Sequence, residues 1–276
     1  MKRAKRINLF LFICASVLAV IYAFPFLLVL LNSVKEKREI INSPLAWPTE
    51  FKLDNFIAAM TRMGYWTALG NSLIITVIAV SAIIVTSSML AFYLARSKTK
   101  FSAVTFLILV ASMIVPFQAL MIPFVGLFGR NGFNLPFNQI TICLFYVGFG
   151  VALSTFLYHG FISNIPYELD EAAAIDGASP FTTFRKVILP MLGPVTATVA
   201  IINGLWIWND FLLPSIILSD TDQKTLPLRV FVFYGKYTSD YGLAMAGLVL
   251  SVVPILIFYF AMQRQIISGV SAGAVK

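Results

Sequence analysis

The sequence predicts an all-α fold: a polytopic membrane protein with six transmembrane helices. Two observations carry this reading. First, 59% of the 276 residues are hydrophobic, only 12% are charged, and the mean hydropathy is +0.88. A soluble domain carries about 25% charged residues, and one core of this size cannot hide so large a surplus of apolar surface. Second, the apolar residues fall in runs of about 20, the length a helix needs to cross the hydrocarbon of a bilayer. The net charge of +8 belongs to the same picture and excludes a nucleic-acid reading, because basic residues of membrane proteins gather in flanking loops and fix topology.

The first span, Ile7–Leu31, follows the basic segment MKRAKR. Its apolar run is too long for a secretory signal and no A-x-A cleavage site follows, so it reads as an uncleaved anchor. Asn32–Gly70 is a less regular external segment. The remaining spans are Asn71–Ala95, Phe101–Leu127, Ile140–Tyr158, Val195–Leu218 and Leu243–Met262. This divides the chain into an anchor and external segment (1–70), a membrane domain (71–262) with a cytoplasmic loop at 163–194, and a C-terminal tail (263–276). Lys2, Arg3, Lys5, Arg6, Arg96, Lys98, Lys100, Arg185, Lys186, Arg264 and Lys276 lie inside if the N-terminus is cytoplasmic. The bias is strongest in the tail and the ARSKTK turn, where the positive-inside rule is most reliable, while KEKRE in the external segment reduces the overall excess. Both termini are then cytoplasmic. Cys14 and Cys143 fall inside apolar runs without metal-ligand spacing and read as small buried hydrophobes.

One polar, heavily punctuated stretch interrupts this greasy chain: NIPYELDEAAAIDGASPFTTFRKVILPMLGP, Asn164–Pro194. It reads as two short helices around a sharp turn. Pro166 suits a first helical position, and Glu168, Asp170 and Glu171 meet the positive end of the dipole. Ala172–Ala174 have the highest helix propensity. Gly177 suits the left-handed residue that ends a helix, Ser179 an N-cap with Pro180 at N1, and Pro190 limits the second helix. A face of alanine presents little apolar area but admits a close backbone. Docking into a groove of a partner protein and lying on the cytoplasmic membrane face are both compatible with it.

The spacing E-A-A-x3-G-x9-V-x-L-P, from Glu171 to Pro190, resembles the EAA loop of membrane subunits of bacterial ATP-binding-cassette importers. Val187 stands where isoleucine is usual. Further segments resemble sugar permeases of the maltose-importer type, in particular their second permease subunit: NSLIIT at Asn71, VPFQALMIP at Val115–Pro123, WNDFLLP at Trp208–Pro214, and the ending GVSAGAVK. The resemblance implies the type I importer transmembrane fold. It also implies a loop that couples to an ATPase through Glu171, Ala172, Ala173, Asp176, Gly177, Leu189 and Pro190. The implied partners are a homologous partner permease in a heterodimer, two cytoplasmic ATPase subunits and an extracytoplasmic sugar-binding protein, all in or at the bacterial cytoplasmic membrane. It leaves the sugar open.

No G-x-x-x-x-G-K-[ST] phosphate loop occurs in the chain. The chain is therefore expected to bind no cofactor and to be no enzyme itself, with ATP and magnesium on the ATPase subunit. The rival class is a secondary transporter or channel for another solute. Such carriers place carboxylates or paired charges near the midplane, whereas Asp210 is the lone carboxylate within a predicted span. His159 reads as a helix-terminal residue rather than a proton relay.

Span five is the most polar. Asn203, Trp206 and Asp210 stand at i, i+3 and i+7 with Asn209 alongside, a candidate solute path of hydrogen-bonding groups and one aromatic face. Membership of an interfacial aromatic belt is the plainer reading of Trp206 and Trp208. Gln118 lies between Pro116 and Pro123, which predict a kinked or locally unwound span three. The segment between spans five and six, Ser219–Gly242, mixes charge with aromatics and is expected to touch the binding protein, with an ordinary solvent-facing loop as the alternative.

Overall fold

The computed structural model describes residues 2–235 and 240–274. The described residues form helices and turns with no β-strand. In chain order the helices are α1 (Lys2–Ser33), α2 (Lys37–Asn42), α3 (Asp54–Met63), α4 (Tyr65–Arg96), α5 (Lys100–Ser112), α6 (Phe117–Phe128) and α7 (Gln139–Ile162). Then come α8 (Glu168–Ile175), α9 (Pro180–Thr183), a π-helical turn (Phe184–Ile188), α10 (Leu189–Met191), α11 (Gly193–Asn209), α12 (Leu212–Ile217), α13 (Leu226–Arg229) and α14 (Tyr241–Ala274).

Four of these helices are individually long and apolar enough to cross a bilayer: Phe10–Ser33 of α1, then α4, α7 and Tyr241–Ala261 of α14. Two further helix pairs are long and apolar enough for a span only when each bent pair is taken as one. α5 and α6 meet at 106°, and Pro180–Met191 meets α11 at 78°. Pro116 explains the first break. It has φ −71° and no N–H to give the helix, and it forces the residue before it toward extended backbone. Span three is therefore not the continuous helix Phe101–Leu127: the unwinding expected of the proline pair falls at Pro116, while Pro123 stands inside α6. Span five also departs from its predicted bounds. α11 stops at Asn209, Asp210 is extended (φ −69°, ψ 129°), and a short helix resumes at Leu212. Span two starts earlier than predicted, at Tyr65, and α14 runs through Ala274, so residues 263–274 continue a helix. Lys276 of the tail, and Lys236–Ser239 of the segment expected to meet a binding protein, lie outside the described residues.

The chain divides into two compact units. One comprises the chain up to Thr67 together with Arg229–Pro254. In it the segment that follows α1 is folded. Lys35 is fully buried, and its ammonium donates to the carbonyls of Ser43 (3.1 Å) and Pro44 (3.2 Å). Asn55 Nδ2 donates to the carbonyls of Ser33 and Lys35 at 2.9 and 3.0 Å, tying α3 to the end of α1. Side chains of α1 from Phe10 onward are largely exposed, as expected of a helix whose solvent is lipid or a partner.

The second unit is Ala68–Leu228 with the chain from Ile255 onward. Its core contains Ile75, Ile83, Ile142, Tyr146, Tyr158, Ile188, Val199 and Leu213. α7 packs against α5, α11 and α12. Gly150 on α7 makes the closest approach possible, because a Cβ there would stand 2.6 Å from Ile83 Cδ1 and 2.9 Å from Asn203 Oδ1. One turn on, Asn203 Nδ2 donates to Ser154 Oγ (3.0 Å), and a further turn on Tyr158 donates to Thr196 Oγ1 (2.9 Å). Small residues and interhelical hydrogen bonds are how helices adhere where lipid removes the hydrophobic drive. Gly150→Val is expected to destabilise this seam by about 1–3 kcal/mol through overpacking, visible as earlier thermal unfolding of the purified protein in detergent.

Candidate functional site

Two features of the second unit carry chemistry: the polar segment between α7 and α11, and a cavity where the broken spans meet. The polar segment folds as its residues dictate. Glu168, Asp170 and Glu171 occupy the first turn of α8, which begins at Glu168 with Tyr167 as its N-cap, so Pro166 precedes the helix rather than taking its first position. At the other end Gly177 has φ +78°. Its N–H donates to Ala174 O at 3.0 Å and that of Ala178 to Ala173 O at 2.9 Å. This paired closure is the Schellman motif, whose C′ residue is left-handed and strongly favours glycine. Ser179 Oγ then accepts from Thr182 N at 3.3 Å, with Pro180 at the first helical position. Pro190 can give no N–H to the turn before it, and the turn before it is π-helical.

The tip is a free surface. Glu171, Ala172, Asp176 and Gly177 are exposed, Ala173 is buried, and Leu189 and Pro190 are exposed on the second arm. Ile175 is 86% exposed and Phe181 59%. These two apolar side chains were not singled out from the sequence, and they give the tip more greasy area than its alanine face alone. Behind the tip, a groove of about 580 Å³ separates the segment from the end of α4, with Phe92 and Tyr93 on one wall and Tyr167, Ala174, Phe181 and Phe184 on the other. Arg96 and Asp170 also line it and form an ion pair at 2.8 Å. No local pattern announces this pair, because its partners lie on elements far apart in the chain.

The cavity, about 240 Å³, sits between the α5–α6 break and the end of α11. Gln118, Trp206 and Asp210 line it with Ser112, Phe117 and Phe149. Asp210 is held from two sides: Tyr146 Oη donates to Oδ2 and Leu212 N to Oδ1, both at 3.0 Å. Trp206 meets the Tyr146 ring edge-on at 5.5 Å and is 41% exposed. Three of the predicted path residues are thus brought together. The other two are not. Asn203 is 2% exposed and bonded into the α7–α11 seam. Asn209 is exposed, donates to Leu205 O at 2.8 Å and does not line the cavity. The assumed common face required the helix to run through Asp210, and it ends before it. Tyr146, which sequence reasoning missed, supplies the contact that orients Asp210. Among the described residues no cluster of three His, Cys, Asp or Glu side chains stands together to hold a metal ion.

Comparison with known proteins adds to this geometry. Residues 83–271 match the model of the family described as the inner membrane component of binding-protein-dependent transport systems. A probable starch degradation products transport system permease of Thermoanaerobacterium thermosulfurigenes is 42% identical over 260 residues, 94% of each chain. A multiple sugar-binding transport system permease of Streptococcus mutans is 36% identical over the full length of both chains. A melibiose/raffinose/stachyose import permease of Bacillus subtilis is 33% identical over 264 residues, 95% of this chain and 94% of the relative. Among solved structures, a chain of a bacterial ABC transporter involved in importing the acidic polysaccharide alginate superposes with a TM-score of 0.79 at 17% identity, over 96% of this chain and 98% of that one. The fold is that of an ABC importer permease.

Proposed function

Since the chain belongs to the family of inner membrane components of binding-protein-dependent transport systems, we propose that it is one permease subunit of an ATP-driven importer of di- or oligosaccharides. It pairs with a homologous permease as a heterodimer. Two cytoplasmic ATPase subunits carry ATP and magnesium, and an external binding protein delivers the sugar. The chain is a multi-pass membrane protein. In our reading its site is the bacterial cytoplasmic membrane, with both termini and the loop 163–194 on the cytoplasmic side.

One observation carries the mechanism. The exposed Schellman turn at Gly177 leads through α9, the π turn and α10, around one bend, into α11, and α11 ends at Trp206 and Asp210 in the cavity. The loop is a lever whose far end is the solute path. When α8 and its exposed Ile175 seat in a cleft of the ATPase, closure of the ATPase dimer displaces α8–α9, and the bent pair passes that displacement to the cavity wall. Trp206 offers an aromatic face to the apolar side of a pyranose, while Gln118 and Asp210 offer hydrogen bonds to its hydroxyls. The names of the relatives support the sugar class. A thermal-shift ligand screen of the cognate binding protein tests it. Stabilisation by di- or oligosaccharides is expected; stabilisation by amino acids, peptides or metal ions alone contradicts it.

Orientation has its own test. Ser179→Cys is expected to resist an impermeant maleimide in intact cells and to react in inverted vesicles. Efficient labelling from outside would reverse the topology.

A further inference from the structure

Arg96 closes α4, yet its side chain works elsewhere. Nη1 donates to Ile162 O at 3.4 Å and Nη2 to Ile165 O at 3.2 Å, at and just beyond the end of α7. Nη2 also stands 2.8 Å from Asp170 Oδ2 on α8, and the two side chains are only 14% and 13% exposed. The guanidinium carbon lies 5.5 Å from the centre of the Tyr167 ring. Carbonyls at a helix C-terminus lack intrahelical donors and carry the negative end of the dipole, so a cation is favoured there. A planar fork of five donors can hold two carbonyls and a carboxylate while its face covers an aromatic ring; a lysine ammonium, a single point charge, cannot.

We propose that Arg96 is a positioning residue that makes α8 move together with the ends of α4 and α7. The proposal rests on the coupling-loop reading of α8–α9. Across the groove, α8 and the π turn face α4 through apolar walls, Phe92 and Tyr93 against Ala174 and Phe184. Apolar walls resist separation but have little direction and can slide. The ion pair adds the direction. Parting it leaves two charges in a poorly solvated site, which is strongly unfavourable, so a displacement of Asp170 drags Arg96 and the α7 terminus with it. The ATPase stroke then reaches the membrane at two points: along the chain into α11, and across Arg96 into α4 and α7.

The test uses the whole transporter, both permeases and the ATPase in proteoliposomes with the binding protein, and reads ATP hydrolysed per sugar imported. Asp170→Asn preserves shape and removes only the ion pair. Arg96→Lys preserves charge and removes the fork. Each variant is expected to co-purify with the ATPase and to raise the ratio of ATP to sugar by about tenfold, the range of a typical coupling energy between sites. Exchanging the pair, Arg96→Asp with Asp170→Arg, is expected to bring the ratio part of the way back. Wild-type ratios in both single variants would overturn the proposal, as would parallel loss of hydrolysis and import, which marks a purely structural contact. Gly177→Val separates the two readings. If it raises the ratio and the Arg96 and Asp170 variants do not, the coupling loop stands and the Arg96 proposal alone fails. If none of the variants moves the ratio, the coupling-loop reading fails as well.

Discussion

Gly177→Val is expected to insert and assemble normally but to import sugar at least about tenfold more slowly, with more ATP consumed per sugar. The cause is conformational rather than crowding. No atom lies within 4 Å of a Cβ built at Gly177, so space is free, but φ is +78°. A β-branched residue is a genuine outlier at positive φ, and strain of this kind costs about 1–3 kcal/mol. The Schellman closure then opens, the angle between α8 and α9 relaxes, and the lever loses its fulcrum. Because the residue is exposed and nothing packs where its side chain would stand, membrane insertion has no reason to suffer. Uptake and hydrolysis measured together in vesicles, with expression followed by immunoblot, check this. Gly177→Asn, which tolerates the left-handed region better, should retain most of the transport.

Asp210→Ala is expected to lower uptake by about ten- to a hundredfold and to reduce stability in detergent. Leu212 N–H loses the acceptor that fixes the turn between α11 and α12, and the Tyr146 hydroxyl is left without its 3.0 Å partner. An unsatisfied buried donor costs about 1–3 kcal/mol, and each 1.4 kcal/mol is a factor of about ten. Asp210→Asn keeps an oxygen acceptor for Leu212 and a partner for Tyr146, so it should fall between Ala and wild type. Uptake with saturating binding protein, set beside thermal unfolding, separates loss of the path from loss of fold. An Asp210→Ala protein that transports normally would remove this residue from the site.

Much of this was legible in the residues. The apolar runs of α1, α4, α7 and α14 marked spans because hydrocarbon thickness demands them. Gly177, Ser179 and Pro180 foretold a turn because each has a backbone reason to stand there. The break at Pro116 was visible in the proline itself. Hydropathy could not reveal the break at Asp210, because Phe211, Leu212 and Leu213 continue the apolar run; the local signal was Pro214, which has no N–H for the carbonyl of Asp210 four residues back and whose ring clashes with it. The inward face of α11 was also misjudged. In a helix apolar all round, periodicity does not say which polar residue meets a neighbour, and Asn203 met Ser154. Arg96 counted in the sequence only as a topology charge and Asp170 only as a helix-dipole partner. Their pairing arises from the tertiary approach of α4 and α8, which one sequence does not encode locally.

The central claim is that this chain conducts sugar on the strength of ATP hydrolysed by a separate subunit. Its most direct test is uptake of labelled oligosaccharide into proteoliposomes holding the chain, its companion permease and the ATPase. The binding protein is supplied outside, ATP is trapped inside, and an ionophore is present. Uptake should require both ATP and the binding protein and ignore the ionophore. Uptake that continues without ATP and collapses with the ionophore would identify an ion-coupled carrier and contradict the account.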